Sequence, residues 1–151
     1  MNSNWTRWVR ASIVKHFSTL LTTVPMYVEG RERPLVEAPE LFELRIDGPN
    51  IRDFSGLYRL EIEINILIKC MRNPSDAYKI ERLIGLVQSS FTNAIVVKNY
   101  GEETPAEQIG CLLLRSDGRE GIITSDFGLI DASQGTRQAT VEAHYLMELR
   151  K

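Results

Sequence analysis

The chain has 151 residues, with 18 Lys and Arg against 20 Asp and Glu and a formal net charge of −2. That length suits one domain able to bury its own core. The near-balance of charge gives no general pull toward nucleic acid or an acidic membrane, and no apolar run reaches the roughly 18 residues a spanning helix needs. Cys70 and Cys111 are too few for a disulfide framework. Each borders an apolar run, so both read as buried free thiols in a reducing compartment.

Residues 4–22 place Trp5, Trp8, Val9, Ser12, Ile13, His16, Phe17, Leu20 and Leu21 at spacings of three and four, with Arg7, Arg10 and Lys15 largely opposite. This predicts an amphipathic helix, ended by Val24-Pro25 because the residue before proline avoids helical geometry. The absence of a carboxylate before Glu29 superficially matches an organellar presequence. The clean apolar stripe, leading straight into a strand, reads instead as a structural helix. His16 sits on that stripe and is expected as a hydrogen-bonded boundary residue. Residues 26–29 lean toward strand. Residues 31–40 form a charged loop containing Pro34 and Pro39, longer than a tight hairpin needs. Phe42, Leu44 and Ile46 alternate with Glu43, Arg45 and Asp47 as a second strand. Asp47-Gly48-Pro49-Asn50 then signals a turn, followed by a loop through Asp53 and Gly56.

Residues 57–70 carry the strongest pattern. Tyr58, Leu60, Ile62, Ile64, Ile66 and Ile68 alternate with Arg59, Glu61, Glu63, Asn65 and Lys69, Leu67 being the exception. Strict alternation predicts a long strand with one buried face; a typical strand has about 5–6 residues, so this one has length to spare for a second role. Asn73-Pro74-Ser75-Asp76 ends it and opens a helix, with Ser75 as N-cap. Ala77, Ile80, Leu83, Ile84, Val87 and Phe91 form the helix's buried stripe. Gly85 in mid-helix costs about 1 kcal/mol relative to alanine and is expected where the helix closely approaches the sheet or the first helix. Strands follow over 94–100, 108–115 and 120–127. The Ser116-Asp117-Gly118-Arg119 between the last two is the strongest short hairpin signal in the chain. Residues 128–135 read as a connection. Residues 138–149 alternate again as a closing long strand.

The order is helix, three strands, helix, four strands. Two helices cannot cover both faces of a large sheet. The expected fold is therefore α+β: a mostly antiparallel twisted sheet with both helices packed on one face. The chain is expected to be a single domain over 1–151. There is no phosphate-binding glycine loop and no paired-cysteine metal motif. His16 and His144 lie on separate elements without carboxylates at ligand spacing. Cys111, expected on a buried face with Ile109 and Leu113, cannot reach His144 on the polar side of its strand. Glu61 and Glu63 share a strand face, where a salt-bridged surface is favoured over acid–base chemistry. An enzyme is therefore not expected, and neither a metal nor a cofactor.

Taken together, the aromatic-rich first helix, Val24-Pro25-Met26-Tyr27-Val28-Glu29-Gly30, Phe42-Glu43-Leu44-Arg45-Ile46-Asp47-Gly48-Pro49, the long strand, the helix around Tyr78 and the closing Gln138-Ala139-Thr140-Val141-Glu142-Ala143-His144-Tyr145 resemble the tail-terminator or tail-completion proteins of tailed bacteriophages. The resemblance implies a structural virion protein without cofactor, assembled in the host cytoplasm. It implies a homohexameric ring that caps the tail tube and joins it to the head-side neck or connector protein. DNA would pass through the lumen without specific binding, and no membrane is involved. The long strand would then contribute subunit contacts by strand addition from its overhang, through Arg59, Glu61, Glu63, Asn65 and Lys69. Loops 31–40 and 101–107, with Arg31, Arg33, Glu102 and Glu103, would face the neck or tail tube. Two alternatives stand beside this reading: another phage neck or baseplate ring component, and a small ligand-binding or adaptor domain.

Overall fold

The structure, a computed structural model, describes residues 1–102, 104–115, 121–131 and 135–151. Its elements are α1 (Trp5–Leu20), β1 (Met26–Val28), β2 (Leu41–Phe54), β3 (Leu57–Met71), α2 (Lys79–Ser90), β4 (Ala94–Lys98), β5 (Gln108–Leu114), β6 (Ile123–Asp131) and β7 (Thr136–Arg150). The chain is α+β. Its seven strands form one sheet in the order β1-β2-β3-β7-β5-β4, with β6 also pairing β7. Every pairing is antiparallel except β1–β2.

β3 is the spine. Its 15 residues pair with β7 from Leu57↔Arg150 to Met71↔Thr136, and with β2 from Leu41↔Lys69 to Phe54↔Leu57. At roughly 3.3 Å per residue it runs about 50 Å. Leu60, Ile64, Ile66 and Ile68 are fully buried and Ile62 nearly so. Each contributes about 1.5–3 kcal/mol through the apolar surface it removes from water. They pack with Val9, Ile13 and Phe17 of α1 and Ile80, Leu83 and Val87 of α2 in one contiguous core, so both helices lie on the same face. His16 donates from Nε2 to Ser90 O at 2.8 Å and sets its ring edge-on to Phe17, the boundary role its position on the stripe predicts.

Several local signals resolve differently. β1 and β2 are adjacent and parallel, so the twelve residues 29–40 are a crossover rather than a hairpin loop. The Asp47–Asn50 stretch does not end β2. It forms a bulge, after which pairing resumes with Asn50↔Glu61 and continues to Phe54. Ser116–Arg119 lies outside the described residues, but the strands beside it do not form a hairpin. β5 and β6 both pair with β7, running one after the other along the same edge. The long β7 offers more partner length than a hairpin of two short strands, which would leave half of that edge bare. β6 also continues to Asp131 through part of the expected 128–135 connection.

α2 begins at Lys79. Ser75 instead lies in a turn, its N–H bonded to Asn73 Oδ1, and Ala77 precedes the helix. In β5 the buried residue is Leu112. Leu113 is exposed and Cys111 half-exposed, so of the two thiols only Cys70 is buried.

Two glycines give opposite expectations. A Cβ on Gly85 would meet nothing within 4 Å, so no close approach compensates for its helix cost. Gly85→Ala is expected to raise stability by about 1 kcal/mol. Gly48, in the β2 bulge, has φ +104°, and a Cβ there would lie 2.9 Å from both Asn50 N and Glu61 O. Gly48→Ala is expected to lose on the order of 1–3 kcal/mol. Urea unfolding of the two variants checks both signs; a destabilised Gly85→Ala protein would contradict the packing around α2.

Candidate assembly interface

The face of the sheet away from the helices carries the alternate residues of β2, β3 and β7. Here Arg59, Glu61, Glu63, Asn65 and Lys69 come together as expected. Arg59, Glu61 and Asn65 are not, however, free groups awaiting a neighbour. Arg59 donates to Glu148 Oε1 at 2.9 Å and lies over the Phe54 ring. Glu61 sits between Arg52 at 3.4 Å and Arg115 at 3.6 Å. Asn65 donates to Glu142 at 3.5 Å. Lys69 lies in register between Leu41 and Gln138. The polar face thus has a purpose inside the subunit, because cross-strand ion pairs fix the register of three long strands.

Glu63 sits instead among like charges. It lies opposite His144 on β7 and Asp47 on β2 and lines a polar cleft of about 270 Å³ with Glu61 and Arg115. Partial burial raises its carboxyl above the ordinary range. Glu142 and Asp47 push in the same direction, and His144 only partly opposes them. Glu43 has the opposite balance. Burial would raise it, but hydrogen bonds from Arg33 and Arg45 outweigh that and hold it low. Arg33 also bonds Glu37 and stacks over Tyr27, pinning loop 31–40 against this face. At the loop's end, Glu40 accepts from Met71 N and Lys79. Leu35 and Val36 between these anchors are fully exposed.

Arg31 lies away from the polar face, lining a cleft of about 350 Å³ with Arg10, Val14, Val28 and Ile46. Glu102 is paired with Arg7 of α1. Glu103 lies outside the described residues. A cleft of about 510 Å³ lies between the turn after β3 and β6. Two of its basic residues are engaged: Lys79 by Glu40, and Arg137 by Asp126 and Glu81. Among the described residues no group of three His, Cys, Asp or Glu could hold a metal ion, and no helix is long and apolar enough to cross a membrane.

The sheet edges decide what is left unsatisfied. β3 is flanked by β2 and β7 from Leu57 to Lys69, with only Cys70 and Met71 paired to β7 alone, so its Arg59–Lys69 stretch has no edge to offer by strand addition. At the edge of β4, α1 caps Lys98, whose N–H donates to Ser12 Oγ at 3.0 Å. On the far side of the sheet, Arg10 Nε donates to Gly48 O at 2.9 Å and its Nη2 to Ile46 O at 3.4 Å. That guanidinium and the Gly48 bulge protect the β2 edge. β6 has no such guard among the described residues. It exposes Ile123 (41%), Phe127 (57%), Leu129 (50%) and Ile130 (49%) on an unpaired edge. The sequence gives little warning of this row, because two bulges against β7 break its alternation.

No protein-family model and no curated protein sequence matches the chain. Its fold is shared with solved structures. One, whose name carries no functional description, superposes with a TM-score of 0.60 over 97% of each chain at 13% identity.

The charge arrangement sets a pH dependence. Because the folded Glu63 carboxyl holds its proton more tightly than an ordinary one, its contribution to stability is present at acid pH. It is lost as pH rises from the ordinary carboxylate range through the raised folded value. Glu63→Gln should therefore stabilise the subunit at pH 7 by roughly 0.2–1 kcal/mol, with less effect at pH 4. Denaturant midpoints at the two pH values check this; a less stable Gln variant at pH 7 would show that His144 outweighs the two acids.

Proposed function

We propose that this chain is a structural virion protein, a tail terminator whose copies form a hexameric ring capping the tail tube and joining it to the head-side neck. The observation that carries the reading is the open β6 edge. A strand with one open edge and four half-exposed apolar side chains is an aggregation hazard in a lone subunit and a ready interface in an assembly. The order of elements supports it as well: an aromatic-rich helix, a short strand, the long β2–β3 hairpin, a second helix and a closing long strand follow the order the tail-terminator resemblance implies. The exposed Leu35-Val36 tip, held on a loop anchored at Arg33 and Glu40, suits contact with a tail-tube or neck protein. The polar face, tied by internal ion pairs, is the side that tolerates water or passing DNA.

A ring has a direct signature. Light scattering on the purified chain, alone and with the tail-tube protein from the same genome, should give a species near six subunit masses, with annular particles by negative-stain microscopy. A strict monomer at high concentration, also with that partner present, would contradict the proposal.

A further inference from the structure

At the level of β7 residues 136–142, the sheet is five strands wide: β1-β2-β3-β7-β6. Its two lateral edges there are β1 and β6, separated by four strand steps, or about 19 Å at roughly 4.8 Å each. β1 runs parallel to β2, β3 opposes them, β7 runs with β1, and β6 opposes it. If the sheet continues from one copy into the next, β6 of the first therefore meets β1 of the second antiparallel, the commoner kind of pairing.

The side chains at the two edges are complementary. β6 presents Phe127, Leu129 and Ile130, with Asp126 among them paired to Arg137 of β7. Beside β1 lies the cleft floored by Val14, Val28 and Ile46 and rimmed by Arg10 and Arg31, with Glu29 the single acid. One edge is an apolar row whose Asp126 is held by Arg137, the other an apolar cleft with a basic rim, and both belong to every copy. A contact between unlike surfaces of identical subunits is heterologous and closes into a ring when its rotation permits.

From these two edges we propose that β6 of each subunit adds antiparallel to β1 of the next copy, seating its apolar row in the Val14–Val28–Ile46 cleft so that the sheet runs on from subunit to subunit. This rests on the ring reading above and names the contact within it. The other occupant of the β6 edge, a second β6 in a two-fold dimer, would leave the Val14–Val28–Ile46 cleft beside β1 uncovered in both copies.

The contact is tested in a Cys111→Ser background, in which only buried Cys70 remains of the native thiols. Phe127→Cys and Val28→Cys proteins are prepared singly and mixed, then treated with a short bismaleimide. The mixture should give the heterologous cross-link, and neither protein alone should cross-link to itself. Self-cross-linking of Phe127→Cys alone, or no cross-link in the mixture, overturns the proposal. A second variant, Phe127→Asp with Leu129→Asp, changes only exposed side chains; it should keep its circular dichroism and lose the six-subunit species. A ring that persists in this variant overturns the β6–β1 contact alone. A wild-type chain that never leaves subunit mass overturns the ring reading and this contact with it.

Discussion

The structure depends on how α1 meets the edges of the sheet. A strand edge carries N–H and C=O groups that must find partners, and a sheet that curls brings its edges toward whatever fills its concave face. Here α1 fills it. Trp8, Val9, Ile13 and Phe17 bury against the sheet, while Ser12 reaches Lys98 on one side and Arg10 reaches Ile46 and Gly48 on the other. One helix thus supplies apolar packing along its stripe and polar caps at both margins. The polar position within the stripe is a requirement of that geometry: an alanine at position 12 would pack but leave the β4 edge without its acceptor.

From that closure the division of labour among strands follows. β3 and β7, each 15 residues long, are too long for one short partner. β7 accordingly takes β5 along one part of its edge and β6 along another. α1 guards the part of the sheet bounded by β4, and α2 packs over β3 and β7 beside β6. Gln88 of α2 bonds Thr124 at 2.9 Å, which holds β6 in place from the core side without covering its edge. The open edge therefore belongs to a strand that is firmly positioned, as an assembly surface needs.

Much of this was legible in the sequence where periodicity is long. The alternation over residues 57–70 and 138–149 and the stripe of α1 gave the element order, both helices on one face and the burial of Leu60 through Ile68. Local turn chemistry misled where tertiary pairing overrode it. Gly48-Pro49 carries a turn signal, yet the partner strand continues past it and absorbs it as a bulge. Asp117-Gly118 carries a hairpin signal, yet β7 takes the two flanking strands one after the other along a single edge. The assembly surface was hidden for the same reason. The expected charges, Arg59, Glu61 and Asn65, are engaged within the subunit by Glu148, Arg52, Arg115 and Glu142, residues distant in sequence that only the register of the sheet brings near. The apolar row of β6 lacks the alternation that would have singled it out.

The central claim is that the subunit leaves the β6 and β1 edges open and that assembly pairs the one with the other. Amide hydrogen exchange read by mass spectrometry, on dilute subunits and on the assembled species, addresses it directly. The account predicts slow exchange across β3 and at Lys98 in both states, with fast exchange over residues 123–131 in the free subunit that becomes slow on assembly. A β6 segment as protected as β3 in the isolated chain, or one whose exchange is unchanged on assembly, would contradict it.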